Sequence, residues 1–375
     1  MVKRLVLFCD GTWNVPDKLD EGKVCPSNVA KLALSVATEA PDGTPQHVFY
    51  GKGVGTGVWD RVRGGAFGAG LSEHVLDAYR FIVERYERDD QIYLFGFSRG
   101  AYTARSVAGL ISNSGIVRRE HDDKIGDAYD LYRRRDKPSQ PNEIEAKLFR
   151  KSFGWDQDTR ITFIGVWDTV GALGVPVLIP WFPSTWLHFI NQRWEFHNVT
   201  LGKTVDHAYH AVAIDERRAQ FKPTLWTQDE HAEDQVFEQV WFTGVHTNVG
   251  GGYVDAGLSD ITLLWMKQKA AACGLAYLPD DAAHQIEPNP LGVLRNSKTG
   301  PYRILRGLDR PIGAQERGHE SVHETVLARV ETDPTYRPPE LMKYLALPNR
   351  KITYWDQPPA ARNDPDLPPL EALPA

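Results

Sequence analysis

The stretch Gly96-Phe97-Ser98-Arg99-Gly100 constrains this chain more than any other. It follows Gln91-Ile92-Tyr93-Leu94-Phe95, a short apolar and β-prone run, and precedes 102–111, where apolar residues recur at helical spacing. A strand, a sharp turn and a helix are implied. The pattern is G-x-S-x-G, in which glycines two residues either side of a serine let strand and helix approach closely, with the hydroxyl held out at the helix N-terminus. The positive end of that helix and the amide of Arg99 would favour negative charge developing on a substrate oxygen there. A plain structural turn could use the same residues, so the rest of the chain has to decide.

The neighbouring segments read as a parallel α/β sheet. Leu5-Val6-Leu7-Phe8-Cys9 is continuously apolar instead of alternating, the mark of a strand buried on both faces. It runs into Asp10-Gly11-Thr12-Trp13-Asn14, a polar loop placed where a second oxyanion amide is usually supplied, which makes Gly11 or Thr12 a candidate donor. Helical periodicity follows over 28–37, and Gln46-His47-Val48-Phe49-Tyr50 is a second strand. In 71–87, Val75, Tyr79, Ile82, Val83 and Tyr86 share one stripe, giving an amphipathic helix that leads into the Ser98 strand. Strand, helix and strand in that order make a βαβ unit.

Two carboxylates and one histidine stand where a hydrolytic site would need them. Asp168 ends the apolar run Ile161-Thr162-Phe163-Ile164-Gly165-Val166-Trp167, at the strand edge where open α/β sheets place functional groups. Asp215 ends a further strand over 207–214. A strand over 236–242 is followed by Val245-His246-Thr247-Asn248-Val249-Gly250-Gly251-Gly252, so His246 sits just after a late strand, before glycines that permit an unusual loop. Pattern alone leaves Asp168 and Asp215 both open as the acid.

Other motifs point elsewhere and are weaker. Gly51-Lys52-Gly53-Val54-Gly55-Thr56-Gly57 matches neither phosphate-loop pattern in register and reads as a loop near the strand ends. His207 and His210, three apart on a strand, would face opposite sides. His319-Glu320-Ser321-Val322-His323 fits H-E-x-x-H, but a zinc site would need one helix face and a third ligand, and no histidine follows His323. The segment 172–190 carries Trp181, Phe182, Trp186 and Phe189 among prolines and reads either as an apolar lid or cleft wall or as a loop packed on the core. The charged stretch 118–158 reads as a solvated helical insertion, and the prolines from 334 onward read as an extended tail.

Composition excludes several classes. With 375 residues, of which 42% are hydrophobic and 25% charged, the chain can bury a large core. A net charge of -6 argues against nucleic acid as the partner, which calls for a basic face. Cys9, Cys25 and Cys273 are odd in number and lack C-x-x-C spacing, so neither a disulfide framework nor a cysteine metal site is expected. The apolar run at the N-terminus stops at Asp10, too short for a signal-peptide core, and no apolar run reaches membrane-span length. A cytoplasmic location is the expectation.

The segments 5–14, 96–101, 165–171 and 244–253 together resemble an α/β-hydrolase family of otherwise unassigned function that includes type VI secretion phospholipase effectors. The resemblance spans about residues 1 to 330. It implies a triad of Ser98, Asp168 and His246, an acyl ester of a lipid or phospholipid as substrate, and delivery by a non-classical secretion system. This sequence departs from the family at Thr247-Asn248, where serine and aspartate are common. The expectation is therefore an α/β-hydrolase domain over 1–332, with insertions at about 118–158 and 172–200 and a proline-rich extension over 333–375. Arg99 with Gly11 or Thr12 would form the oxyanion hole. Trp181, Phe182, Trp186 and Phe189 would contact the substrate, no metal or cofactor would be needed, and a peripheral membrane contact would fit a lipid ester. The alternatives are a metal-dependent hydrolase using His319 and His323, and a catalytically silent interaction module on the same fold.

Overall fold

A computed structural model describes residues 2–11, 19–52, 66–155, 159–171, 200–232, 234–279, 286–299, 303 and 307–356. Eight parallel strands form one sheet. In chain order they are β1 (Arg4–Cys9), β2 (Gln46–Gly51), β3 (Gln91–Phe97), β4 (Ile161–Trp167), β5 (Val205–Ala213), β6 (Val236–Phe242), β7 (Glu320–His323) and β8 (Ile352–Thr353). Their spatial order is β8-β7-β6-β5-β4-β3-β1-β2. The chain leaves β1 toward one edge, forms β2, then crosses back over β1 to β3. Between β1 and β3 the winding reverses, and open α/β sheets form their ligand crevice outside the strand ends at such a point.

The apolar strand runs are explained by burial on both faces. Leu5, Leu7 and Cys9 of β1 join Ile92 and Leu94 of β3 in one core, while Val6 and Phe8 join Tyr93, Phe95 and Phe97 in another. That split is the two-residue period of a strand covered from both sides. The first core is capped by α2 (Ala66–Arg85) and α3 (Arg99–Ser114), through Val75, Tyr79, Ile82, Ala104, Val107 and Ile111. The second is capped by α1 (Asn28–Ser35), through Val29 and Leu32, and by the helix Gly257–Ala272, through Ile261, Trp265 and Met266. Phe8 stacks on Phe95 at 4.8 Å, and Phe163 and Trp167 continue the aromatic layer behind the Ser98 turn. Each such side chain contributes about 1.5–3 kcal/mol by leaving water, so the turn rests on a rigid floor.

Two stretches differ from the sequence reading. The region expected to be a solvated insertion forms helices Ile125–Arg133 and Ile144–Phe153, but Ile125, Ala128, Leu131 and Ala146 are buried and Arg150 donates to the Asn113 carbonyl at 2.5 Å. Its charges cover an amphipathic layer that closes the first core. The stretch after Asp333, expected to be an extended tail, carries the helix Pro339–Leu345 and the edge strand β8. Pro338 and Pro339 lie at the helix N-terminus, where a missing N–H costs nothing, and Tyr336, Leu341 and Tyr344 pack into a third core with Val322 and Trp241. Proline content misled because it was counted without position.

Candidate active site

The serine turn is built as its glycines require. A methyl group on Gly100 would stand 2.0 Å from the Cys9 carbonyl oxygen, and one on Gly96 would stand 2.4 Å from the Gly100 carbonyl oxygen. Only glycine at both positions lets α3 start directly against the ends of β1 and β3. Ser98 itself has φ of 58°, a conformation that costs a non-glycine residue on the order of 1–3 kcal/mol and holds only when its surroundings enforce it. Its Oγ lies 2.8 Å from Nε2 of His246.

His246 begins a short helix, His246–Gly250, right after β6. Its Nδ1 lies 2.5 Å from Oδ2 of Asp168, so the tautomer with hydrogen on Nδ1 leaves Nε2 free to accept from the serine hydroxyl. Asp168 follows β4 with φ of 37° and has no solvent exposure. The three side chains thus form one hydrogen-bonded chain from three separate strand ends. The ring of His246 is held between Phe97, at 4.6 Å, and Phe221, at 4.9 Å.

Burial pulls the His246 pKa below its ordinary value, against the hydrogen bond and charge of Asp168. For Asp168, burial works against the charge, but the Arg310 guanidinium and then His246 outweigh it, and the carboxyl is held well below the usual carboxylate range. At neutral pH the arrangement is therefore a neutral imidazole between a hydroxyl and a carboxylate, ready to accept a proton from the one and be oriented by the other.

The Asp168 turn is pinned by a second, neutral histidine. His210 Nε2 accepts the Thr169 N–H at 3.1 Å, and its Nδ1 lies 3.1 Å from Gln239 Oε1. Burial, followed by the charge of Arg105, lowers the His210 pKa to about 3, which keeps Nε2 an acceptor. Asp215, the other candidate acid, turns away from His246: its Oδ2 accepts the Gly244 N–H at 2.7 Å and the Tyr336 hydroxyl at 3.0 Å. Next to it, Glu216 accepts the His246 N–H at 3.3 Å and pairs with the Arg218 guanidinium at 2.8 Å. Arg218 in turn lies 3.6 Å over the Phe221 ring.

The two candidate oxyanion donors differ. Arg99 opens α3, so its N–H stands at the positive end of that helix. The Gly11 N–H instead lies 2.6 Å from Oδ1 of Asp10, whose Oδ2 accepts the Ser27 and Tyr50 hydroxyls, both at 2.6 Å. Gly11 is thus committed to a side-chain clamp in this structure. Thr12, Trp181, Phe182, Trp186 and Phe189 lie outside the described residues, as do 53–65 of the glycine-rich loop.

The H-E-x-x-H run does not form a metal cradle. His319 directly precedes β7, and His323 ends that strand instead of lying one helical turn from His319. Four residues of extended chain span about 13 Å. His323 is buried between Phe242 and Trp355, while Glu320 binds the Trp241 indole N–H and the Gly313 N–H. The His323 contacts belong to the second core and the Trp241 contact to the third. Among the described residues no cluster of three or more His, Cys, Asp or Glu side chains could hold a metal ion.

Asn248, at the departure from the family pattern, has an amide-specific role. Its Oδ1 accepts the Val245 and Arg295 N–H groups at 3.3 and 3.2 Å, and its Nδ2 donates to the Val293 carbonyl at 3.1 Å. A carboxylate could not make the last bond. Arg310, Glu216 and Arg218 were not foreseen, since nothing in their local sequence separates them from ordinary surface charges.

Comparison with known proteins shows the family of this chain. A model of the catalytic domain of Tle1-like phospholipase effectors of type VI secretion systems matches residues 3–269. The chain belongs to this family. The Tle1-like chain is 30% identical over 245 residues to an uncharacterized protein of Saccharomyces cerevisiae, YEL023C, an alignment that takes in 60% of this chain and 33% of that protein. Among solved structures, an uncharacterized protein from Pseudomonas aeruginosa is similar with a TM-score of 0.40 at 17% identity, over 74% of this chain and 46% of that one. The Tle1 effector bound to the VgrG spike of the type VI secretion system is similar with a TM-score of 0.38 at 18% identity, over 68% and 52%. The chain spans about a third of the yeast relative's length and about half of each solved chain. No described helix is long and apolar enough to cross a membrane.

Proposed function

We propose that this chain is a serine hydrolase that cleaves a carboxylic ester of a lipid, with a phospholipid acyl ester as first candidate. The observation that carries the reading is the unbroken hydrogen-bond chain from Ser98 Oγ through His246 to Asp168, at 2.8 and 2.5 Å. In the first half-reaction Ser98 Oγ bonds to the ester carbonyl carbon while its proton passes to His246 Nε2. The oxyanion forms at the N-terminus of α3, where the Arg99 amide stands. Collapse breaks the bond to the alcohol oxygen, which takes the proton from His246, and water then releases the acid by the same route. Asp168 keeps the imidazole in one tautomer and stabilises its charged form.

The lipid assignment draws on the family and on the aromatic segment that follows Asp168 in sequence. The test is a hydrolysis screen over phospholipids and acetyl, octanoyl and palmitoyl esters, with the parent, Ser98→Ala, Trp181→Ala and Trp186→Ala. Each methylene removed from water contributes about 0.8 kcal/mol, so loss of contact with three or four should cost long chains roughly 50- to 200-fold relative to acetyl esters. Parallel chain-length profiles in the parent and the tryptophan variants would remove the acyl-contact role, and no ester hydrolysis by the parent would remove the function. Delivery by a secretion system and contact with a membrane surface belong to the same proposal.

A further inference from the structure

Arg310 grips the proposed catalytic acid. Its Nη1 donates to Oδ1 of Asp168 at 2.7 Å and to the Ala213 carbonyl at 2.7 Å, and its Nη2 donates to Oδ2 of Asp168 at 3.1 Å and to the Phe221 carbonyl. Both side chains are buried, 1% and 0% exposed. A buried cation costs several kcal/mol unless its donors are met, and here both Nη groups are spent on one carboxylate and two carbonyls, with only Nε lacking a partner among the described residues. Ala213 ends β5, and Phe221 is the ring packed edge-on against His246. One side chain therefore ties the acid, the end of a strand and a wall of the histidine pocket together. Arg310 lies beyond the residues that match the family model, 3–269.

We propose that Arg310 is a positioning residue that fixes the Asp168 carboxylate and sets the pH at which His246 becomes a competent base. The inference rests on the serine-hydrolase reading above. A triad carboxylate favours the charged imidazolium, and a cation bound to the same carboxylate weakens that preference, so the imidazole stays neutral and able to accept a proton to lower pH. The other charged or titratable groups around the pair, among the described residues, are few. Glu216 accepts the His246 N–H, and Arg218 pairs with Glu216. His210 holds the Thr169 N–H as a neutral ring, and Asp215, bonded to Gly244 and Tyr336, also feels the Arg310 charge. Ser98 bonds His246, and the Arg105 charge acts on His210. Glu216 acts to raise the His246 pKa and Arg218 to lower it, so these two oppose each other, while Arg310 is the cation bonded to Asp168 itself.

The experiment measures the rate at which a fluorophosphonate probe labels the 375-residue chain as a function of pH, in the parent, Arg310→Gln and Arg310→Lys, with thermal melting as the folding control. The probe reports the activated serine without knowledge of the natural substrate. In Arg310→Gln the acid-side midpoint should move up by roughly one pH unit, so that labelling well below both midpoints slows about tenfold. Arg310→Lys keeps a charge but cannot span both carboxylate oxygens, and should label more slowly than the parent with a midpoint between the other two. A folded Arg310→Gln chain with the parent's midpoint would overturn the proposal. Should Arg310→Gln fail to fold, Arg310→Lys decides, and labelling at the parent's rate and midpoint would overturn it. Absence of labelling at Ser98 in the parent would instead remove the serine-hydrolase reading itself.

Discussion

Gly250 lies so close to Phe97 that a methyl group there would stand 2.0 Å from the ring. Phe97 is the last residue of the strand that delivers Ser98, and Gly250 ends the short helix that begins with His246. The close approach lets the helix that carries His246 pack directly on the strand that carries Ser98. Gly250→Ala should therefore push the helix or the ring aside, cost about 1–3 kcal/mol of stability through overpacking, and lower turnover at least tenfold in the chains that remain folded. Thermal melting and labelling of Ser98 by a fluorophosphonate read the two effects. A variant that melts as the parent does and labels as fast would show that the packing is slack.

The two carboxylates at strand ends should respond differently to the same change. Asp168→Asn is expected to lower turnover by roughly four orders of magnitude, because an amide can present its N–H to Nδ1 and hold the wrong tautomer. Asp215 accepts a backbone N–H and a tyrosine hydroxyl in the third layer of packing, and desolvation raises its pKa. Asp215→Asn should cost on the order of 1–3 kcal/mol in stability and leave turnover within about tenfold of the parent. Hydrolysis by folded variants ranks them, and the reverse order would reassign the acid.

The pH profile carries a sign. His246 is active when neutral, and burial lowers its pKa from the ordinary 6.5. Activity should be complete above the folded value and fall as pH drops through it, so the acid limb of kcat/KM should have its midpoint below 6.5. A series of kcat/KM measurements from about pH 4.5 to 8.5 locates it. A midpoint at neutral pH or above would mean that the Asp168 charge, not burial, dominates the imidazole.

The sheet was legible because its strands are continuously apolar. Val6 and Phe8 face one core and Leu5 and Leu7 the other, and such a strand admits few alternatives to a covered parallel sheet. The serine turn was legible because its glycines are steric necessities at fixed spacing. Pattern alone left Asp168 and Asp215 both open, since both follow strands, and only the family resemblance favoured Asp168. Arg310 was invisible for a related reason. It reaches Asp168 across 142 positions of sequence, and a buried arginine that neutralises one carboxylate leaves no local pattern. The H-E-x-x-H run shows the converse, a pattern emptied of its meaning by the strand that carries it.

The central claim is that Ser98 is the nucleophile, and mass-spectrometric mapping of the fluorophosphonate adduct tests it most directly. The account predicts one adduct per chain, on Ser98, abolished in Ser98→Ala and slowed by several orders of magnitude in His246→Ala, with ester hydrolysis lost in parallel. An adduct on another residue, or a folded Ser98→Ala chain that hydrolyses esters within tenfold of the parent, would contradict it.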